Sequence, residues 1–278
     1  MNKELFTYGE ISIEYLVVGE GHDTIVCLHG FGRSAEDYLI FQSLLQPHQR
    51  LVAINLLSHG KSSFPSKRIS SDPITKEEWT EVIQGLLASM EIDSFHLMGY
   101  SMGGRLAMVL AETMAPCIKS LVLIAPDGLK IKWIYRFVSE TKTGRRLYRR
   151  IIENPKVLFN LVDFLAAIRI LHPKIKRFVH GQLETRDKRQ LVYDAWLIHR
   201  KLFPRLPGVA HNIEAYHIRF LLIFGRYDRV IPARDSNRLL RFFSKPKPPV
   251  LLNLGHRLLH PETLKYMSDN NGWMPAAE

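Results

Sequence analysis

The chain has only two cysteines, Cys27 and Cys117, in 278 residues. A disulfide framework is not indicated, and neither position has the spacing of a metal-ligand motif, so no metal site is expected. No stretch reaches 18 uninterrupted apolar residues, so no transmembrane helix and no stable membrane insertion are expected. The opening MNKELFTYGE is polar and lacks the apolar run of a secretory signal. Together these features make a reducing cytoplasm the expected location. No internal repeat is visible. Little of the chain reads as disordered, because 46% is hydrophobic and 23% charged. The exception is 273–278, which has little pattern. Acidic residues are scarce in one segment: 129–215 holds 19 Lys/Arg against 7 Asp/Glu, a balance of +12 within a chain total of +11. Such a bias suits an anionic substrate or surface. It equally suits a solvated helical surface, because long basic side chains cover helices well. No nucleic-acid motif accompanies it, and no nucleic-acid partner is expected.

Short apolar runs bounded by turn residues recur along the rest of the chain. They lie at 5–8, 11–18, 24–28, 50–55, 95–99, 120–124, 218–224 and 249–253. The first two are spaced as a hairpin. The others suit buried parallel strands. Helical patterns fall between them. At 75–90 the stripe runs through Trp79, Val82, Ile83, Leu86, Leu87 and Met90, with Thr75 and Glu78 placed as a capping box. Residues 102–114 form a compact helix rich in small side chains, and 235–243 reads as another. This alternation predicts an α/β fold with a mostly parallel central sheet flanked by helices. It stops at Asp127-Gly128. About ninety residues of helical pattern follow before strands resume at Ile218. A structureless loop of that length would be improbable. The predicted organisation is therefore a core of 1–128 and 216–278 with an inserted helical lid over 129–215.

Gly99-Tyr100-Ser101-Met102-Gly103 has the form G-x-S-x-G and sits between a strand and a helix. That turn must strain the backbone at Ser101 and lift its hydroxyl clear of the sheet. Side chains at Gly99 or Gly103 would collide with neighbouring backbone. The helix behind the serine directs free N–H groups toward a developing oxyanion. A serine hydroxyl also needs a base within about 3 Å.

Four signals occur together: His29-Gly30-Phe31-Gly32, Ser58-His59-Gly60-Lys61-Ser62, Gly99-Tyr100-Ser101-Met102-Gly103-Gly104, and the late pair Asp228 and His256. In these the chain resembles the α/β-hydrolase family, in its serine-nucleophile branch with a helical lid, from Ile25 to about Glu262. The resemblance implies a triad of Ser101, Asp228 and His256 in the family's chain order. His260 is the rival for base and Asp127 for acid. Failing that role, Asp127 could cap the first lid helix. Backbone N–H groups of Met102 and Phe31 would form the oxyanion hole. His29 reads as a group bracing its loop, and His59 as structural. One departure stands out: Asn55 occupies a place where relatives usually carry Asp.

A serine triad at this elbow fits hydrolysis of a carboxylic ester or related acyl substrate through an acyl-serine intermediate, with no metal or organic cofactor. The partner would be a small acyl or carboxylate-bearing molecule; the sequence leaves its identity and the oligomeric state open. The elbow is also similar to that of the menaquinone-pathway synthase that eliminates pyruvate from a polycarboxylate. That resemblance implies substrate contacts from Tyr100 and Arg105, unless Arg105 pairs with an acid on a helix face. A third reading is a hydrolase-like scaffold without activity. Trp133, Tyr135, Phe137, Phe159, Phe164 and Trp196 could line an apolar acyl pocket or pack within the lid.

Overall fold

The computed structural model describes residues 3–270, so the unpatterned 273–278 lies outside the described residues. The chain divides into two compact units. One comprises Met1–Pro65, Ile74–Lys130 and Lys201–Glu278; the other comprises Ser66–Pro73 and Ile131–Arg200.

The first unit is built on an eight-stranded sheet. Its strands are β1 (Lys3–Tyr8), β2 (Ile11–Val18), β3 (Asp23–Leu28), β4 (Gln49–Ile54), β5 (Phe95–Tyr100), β6 (Ile118–Ile124), β7 (Arg219–Gly225) and β8 (Val250–Leu252). Their spatial order is β1-β2-β4-β3-β5-β6-β7-β8. The β1/β2 and β2/β4 pairs are antiparallel, and every other pair is parallel. All eight expected runs became strands. Those in the middle are apolar on both faces because helices cover both faces; β5 is buried along its whole length.

Two helices follow β4 and β5: α1 (Lys76–Ser89) and α2 (Met102–Thr113). The Thr75 hydroxyl accepts the Glu78 N–H at 3.2 Å, which caps α1 as expected. The α1 stripe from Trp79 to Leu87 faces inward. Helix α2 is buried on every side from Met102 to Ala111, which is why, Arg105 apart, its residues there are small or apolar.

The second unit is helical: α3 (Trp133–Glu140), α4 (Lys142–Glu153), α5 (Lys156–Ala167), α6 (Pro173–Leu183) and α7 (Arg186–Ile198). Stacked Tyr148 and Tyr193, with ring centroids 5.5 Å apart, pack with Trp196 and Tyr135 at its centre. Buried Arg189 donates to the carbonyls of Ile152, Leu183 and Glu184, closing the C-terminal ends of α4 and α6. The segment Ser66–Pro73 joins this unit through Arg200, which donates to the Ile69 and Ser70 carbonyls at 2.8 and 3.1 Å.

The boundaries differ from 129–215 at both ends. Helix α8 (Leu206–Ala215) groups with the sheet, as do α9 (Asn237–Leu240) and α10 (Pro261–Asp269). Pro207 stands in the first turn of α8, where proline is well placed. Ala35–Leu44 is a 3₁₀ segment that a 3.6-residue periodicity misses, because its buried Ala35, Tyr38, Phe41 and Leu44 recur every three residues. Among the described residues no helix is long and apolar enough to cross a membrane.

Candidate active site

Four chain segments meet beyond the C-terminal ends of the parallel strands, where open α/β sheets place their ligands. Ser101 follows β5, the 29–32 loop follows β3, Asp228 follows β7 and His256 follows β8.

Ser101 has φ 52° and ψ −115°, a strained conformation for a residue with a side chain. Backbone bonds hold it there. Its N–H donates to Ile124 O at 3.0 Å, and its carbonyl accepts from the N–H groups of Arg105 and Asp127. The flanking glycines permit the turn. A Cβ on Gly99 would lie 2.6 Å from the Gly103 carbonyl oxygen, and one on Gly103 would overlap the Leu28 carbonyl.

The Ser101 hydroxyl lies 3.1 Å from His256 Nε2. His256 Nδ1 lies 2.7 Å from Asp228 Oδ2. The Asp228 side chain is fully buried, and its other oxygen accepts the N–H groups of Val230 and Ile231 at 2.8 and 3.0 Å. A carboxylate so fixed accepts a hydrogen bond from Nδ1–H, which keeps the proton on Nδ1 and leaves Nε2 as an acceptor for the serine. The acid and base loops are joined by backbone bonds from Arg226 N to Leu252 O and from Tyr227 N to Leu254 O. His260 has a separate place: it caps α10 by accepting the Glu262 N–H.

Asp127, the rival acid, is not at His256. Its carboxylate lies 3.5 Å from Arg105 Nη1. Nor does it cap α3, whose N-cap is Lys132. Tyr100 and Arg105, read from sequence as substrate contacts unless Arg105 pairs with an acid, both have partners within this chain. Arg105 is 1% exposed, and its guanidinium lies 4.5 Å over the Phe203 ring as well as beside Asp127. Its guanidinium is thus buried against other groups of this chain. The Tyr100 hydroxyl donates to the His256 carbonyl at 2.6 Å, and burial raises its pKa above the usual phenol value. Tyr100 is therefore a buried support for the histidine loop.

Met102 is the first residue of α2, where a helix leaves N–H groups without intrahelical acceptors. The Gly30-Phe31 turn packs against the serine: a Cβ on Gly30 would lie 3.1 Å from Ser101 Cβ and 2.9 Å from the Tyr100 ring. Two histidines hold this loop. His29 Nε2 accepts the Leu56 N–H at 3.0 Å, and His59 Nε2 accepts the Gly32 N–H at 3.0 Å. The opposite nitrogens face the carbonyls of Gly30 and Leu57, so both rings are neutral with the proton on Nδ1. Burial, with His59 adding to it, pushes His29 down to about 3; burial also lowers His59. In the unfolded chain His29 protonates near 6.5. Its contribution to stability is thus complete above pH 6.5 and is lost progressively as pH falls toward 3. Urea midpoints should decline across that window. His29→Gln, which retains an acceptor without titrating, should flatten the decline.

Asn55 is also accounted for. Its Nδ2 donates to buried Glu14 Oε2 at 2.6 Å, and its Oδ1 accepts the Ala35 N–H at 2.8 Å. The same Glu14 oxygen accepts the Lys61 N–H at 3.0 Å. Glu14 on β2 supplies the carboxylate here, so the partner must be a donor. This residue was not singled out by sequence; a lone Glu in an apolar strand was its only signal. Asn55→Asp should cost roughly 2–4 kcal/mol by facing two buried carboxylates. Glu14→Gln in that background should restore most of it, and a double-mutant cycle in urea measures the coupling.

The aromatic residues of the helical unit separate into two groups. Tyr135 and Trp196 pack inside it, and Phe159 stacks on His180. Trp133 and Phe164 are exposed.

The Alpha/beta hydrolase family model matches residues 25–264. A Pseudomonas putida protein named 2-hydroxy-6-oxononadienedioate/2-hydroxy-6-oxononatrienedioate hydrolase 1 is 25% identical, over 89% of this chain and 86% of its own. A Bacillus subtilis protein, named as a putative 2-succinyl-6-hydroxy-2,4-cyclohexadiene-1-carboxylate synthase, is 28% identical over 78% of each. Among solved structures, MGS-M2, an alpha/beta hydrolase enzyme from a Medee basin deep-sea metagenome library, superposes with a TM-score of 0.66. It covers 95% of this chain and 94% of its own at 17% identity, which speaks to fold alone. With the sheet order, the strained serine turn and a family match over most of its length, this chain belongs to the alpha/beta hydrolase family.

Proposed function

We propose that this protein is a serine hydrolase that cleaves a carboxylic ester or related acyl substrate through an acyl-serine intermediate. The observation that carries the reading is the continuous relay from Ser101 Oγ through His256 to buried Asp228, at 3.1 and 2.7 Å. Ser101 Oγ adds to the acyl carbonyl while its proton passes to His256 Nε2. The imidazolium that forms is stabilised by Asp228. The N–H groups of Met102 and Phe31 receive the negative charge on the former carbonyl oxygen. Collapse of this adduct expels the leaving group, which takes the proton from His256. A water molecule, deprotonated by the same nitrogen, then frees the acyl group and regenerates Ser101. In these steps the chain supplies the nucleophile, the base and its carboxylate, and the oxyanion donors, and solvent supplies the water. The elimination reading loses support from Arg105, whose guanidinium is engaged by Asp127 and Phe203.

The test is covalent. A fluorophosphonate should add one adduct, mapped to Ser101 by peptide mass, and a panel of acyl esters and thioesters should show a pre-steady-state burst. A folded wild-type protein with no adduct, or with the adduct on another residue, would defeat the proposal and return the scaffold reading.

A further inference from the structure

The helical unit carries an apolar helix face that is not packed against its own core. Helix α5 carries Val157, Leu161 and Phe164, and its C-cap is Ile168; the spacings of four, three and four place them in one stripe along the helix. All four are exposed, Val157 at 76% and Phe164 at 59%. The inward side of α5 buries only Val162. An apolar stripe would ordinarily face a core, yet this one faces solvent. Eight of the thirteen exposed large apolar side chains among the described residues belong to this unit.

Next to the stripe in the chain lies a basic groove. It has a volume of about 660 Å³ and is lined by Lys142, Arg145, Arg146, Arg149 and Arg150, together with Ser70, Glu153 and Asn154. Two of its guanidinium groups are fixed in place: Arg145 donates to Ser139 O at 2.8 Å, and Arg149 to the Tyr193 hydroxyl at 3.0 Å. Glu153 is the one acid of the lining, and Arg186 pairs with it at 2.8 Å, so the groove keeps its positive field. The groove ends at Asn154, and the stripe begins three residues later.

We propose that α4 and α5 form a docking surface for an anionic phospholipid bilayer. The α4 cations would meet headgroup phosphates, and the α5 stripe would enter the boundary with the acyl chains. Charge selects this occupant. A basic groove alone suits any polyanion, and an apolar stripe alone suits another protein. The two in succession match an interface that is negative outside and apolar just beneath. With twelve residues, α5 is too short to span a bilayer and must lie along its surface. Docking does not depend on the Ser101 chemistry, so Ser101→Ala protein should bind membranes as the wild type does.

The experiment is co-sedimentation of the full chain with phosphatidylcholine vesicles, with and without about 30% phosphatidylserine. Binding should be at least tenfold stronger with phosphatidylserine and should collapse in about 0.5 M salt. Arg146→Glu/Arg150→Glu should lower it by roughly 25-fold or more, since each cation near such a surface contributes about fivefold. Val157→Ser/Phe164→Ser should weaken it at low salt, where the wild type binds. These side chains are exposed, and unchanged melting curves would show that the variants remain folded. Three results would overturn the proposal. One is no preference for phosphatidylserine vesicles. Another is binding that ignores the α5 substitutions and is displaced by millimolar inorganic phosphate at constant ionic strength, which would mark a free-anion site. The third is self-association abolished by Val157→Ser/Phe164→Ser with no vesicle binding, which would mark a contact between copies.

Discussion

Ser101→Ala should lower turnover of an activated ester by about 10⁴- to 10⁶-fold while leaving the urea midpoint nearly unchanged. The hydroxyl is the one atom removed, and the backbone bonds that hold φ at 52° are main-chain bonds to Ile124, Arg105 and Asp127. Alanine keeps those bonds. His256→Ala should cost about as much, and Ser101→Ala/His256→Ala little more, because groups that act as one unit are not additive. Asp228→Asn should cost about 10⁴-fold, since an amide directs a donor at Nδ1 and forces the imidazole into the wrong tautomer. Independent, additive losses at the three positions would contradict the relay. Steady-state and single-turnover kinetics on the same ester measure all of these variants.

Gly103→Ala should have the largest effect on stability, at least about 4 kcal/mol, seen as loss of the cooperative urea transition or of folded yield. Its Cβ would overlap the Leu28 carbonyl and approach His29 O at 2.5 Å. Those atoms belong to the end of β3 and cannot move without displacing the 29–32 loop and its histidine braces. Gly181→Ala on α6 is the matched control. A Cβ there meets nothing within 4 Å, and the position is helical. It should gain roughly 0.8 kcal/mol from helix propensity. Comparable behaviour of the two variants would mean that close approach at Gly103 is not what demands glycine.

The strands and the elbow were legible because their signals are local. An apolar run of five to seven residues bounded by turn residues is complete within itself, and β3, β5, β6 and β7 occupy those runs. The serine turn is readable because G-x-S-x-G stands between a strand run and a helix run, and Gly99 is required by a collision with Gly103 and Gly104 close by; the collision that requires Gly103, with Leu28 and His29, is distant in sequence. The surroundings of Arg105 and Tyr100 were left open for the opposite reason. Their partners, Phe203 and the His256 carbonyl, are about a hundred residues or more away, and no local pattern reports such a contact. Glu14 escaped notice in the same way, since its role depends on Asn55 and Lys61 reaching β2.

The sequence alone determined the eight strand runs, most of the helices and the strand–serine–helix turn, because short-range patterning and glycine placement encode them, whereas the acid and base positions rested on resemblance to a family. The tertiary structure alone decided which cations are buried braces and which remain exposed, and that Ser66–Pro73 joins the helical unit. It also decided that α5 shows its apolar stripe to solvent. Burial is a property of what packs against a residue, and that partner is set by the whole chain.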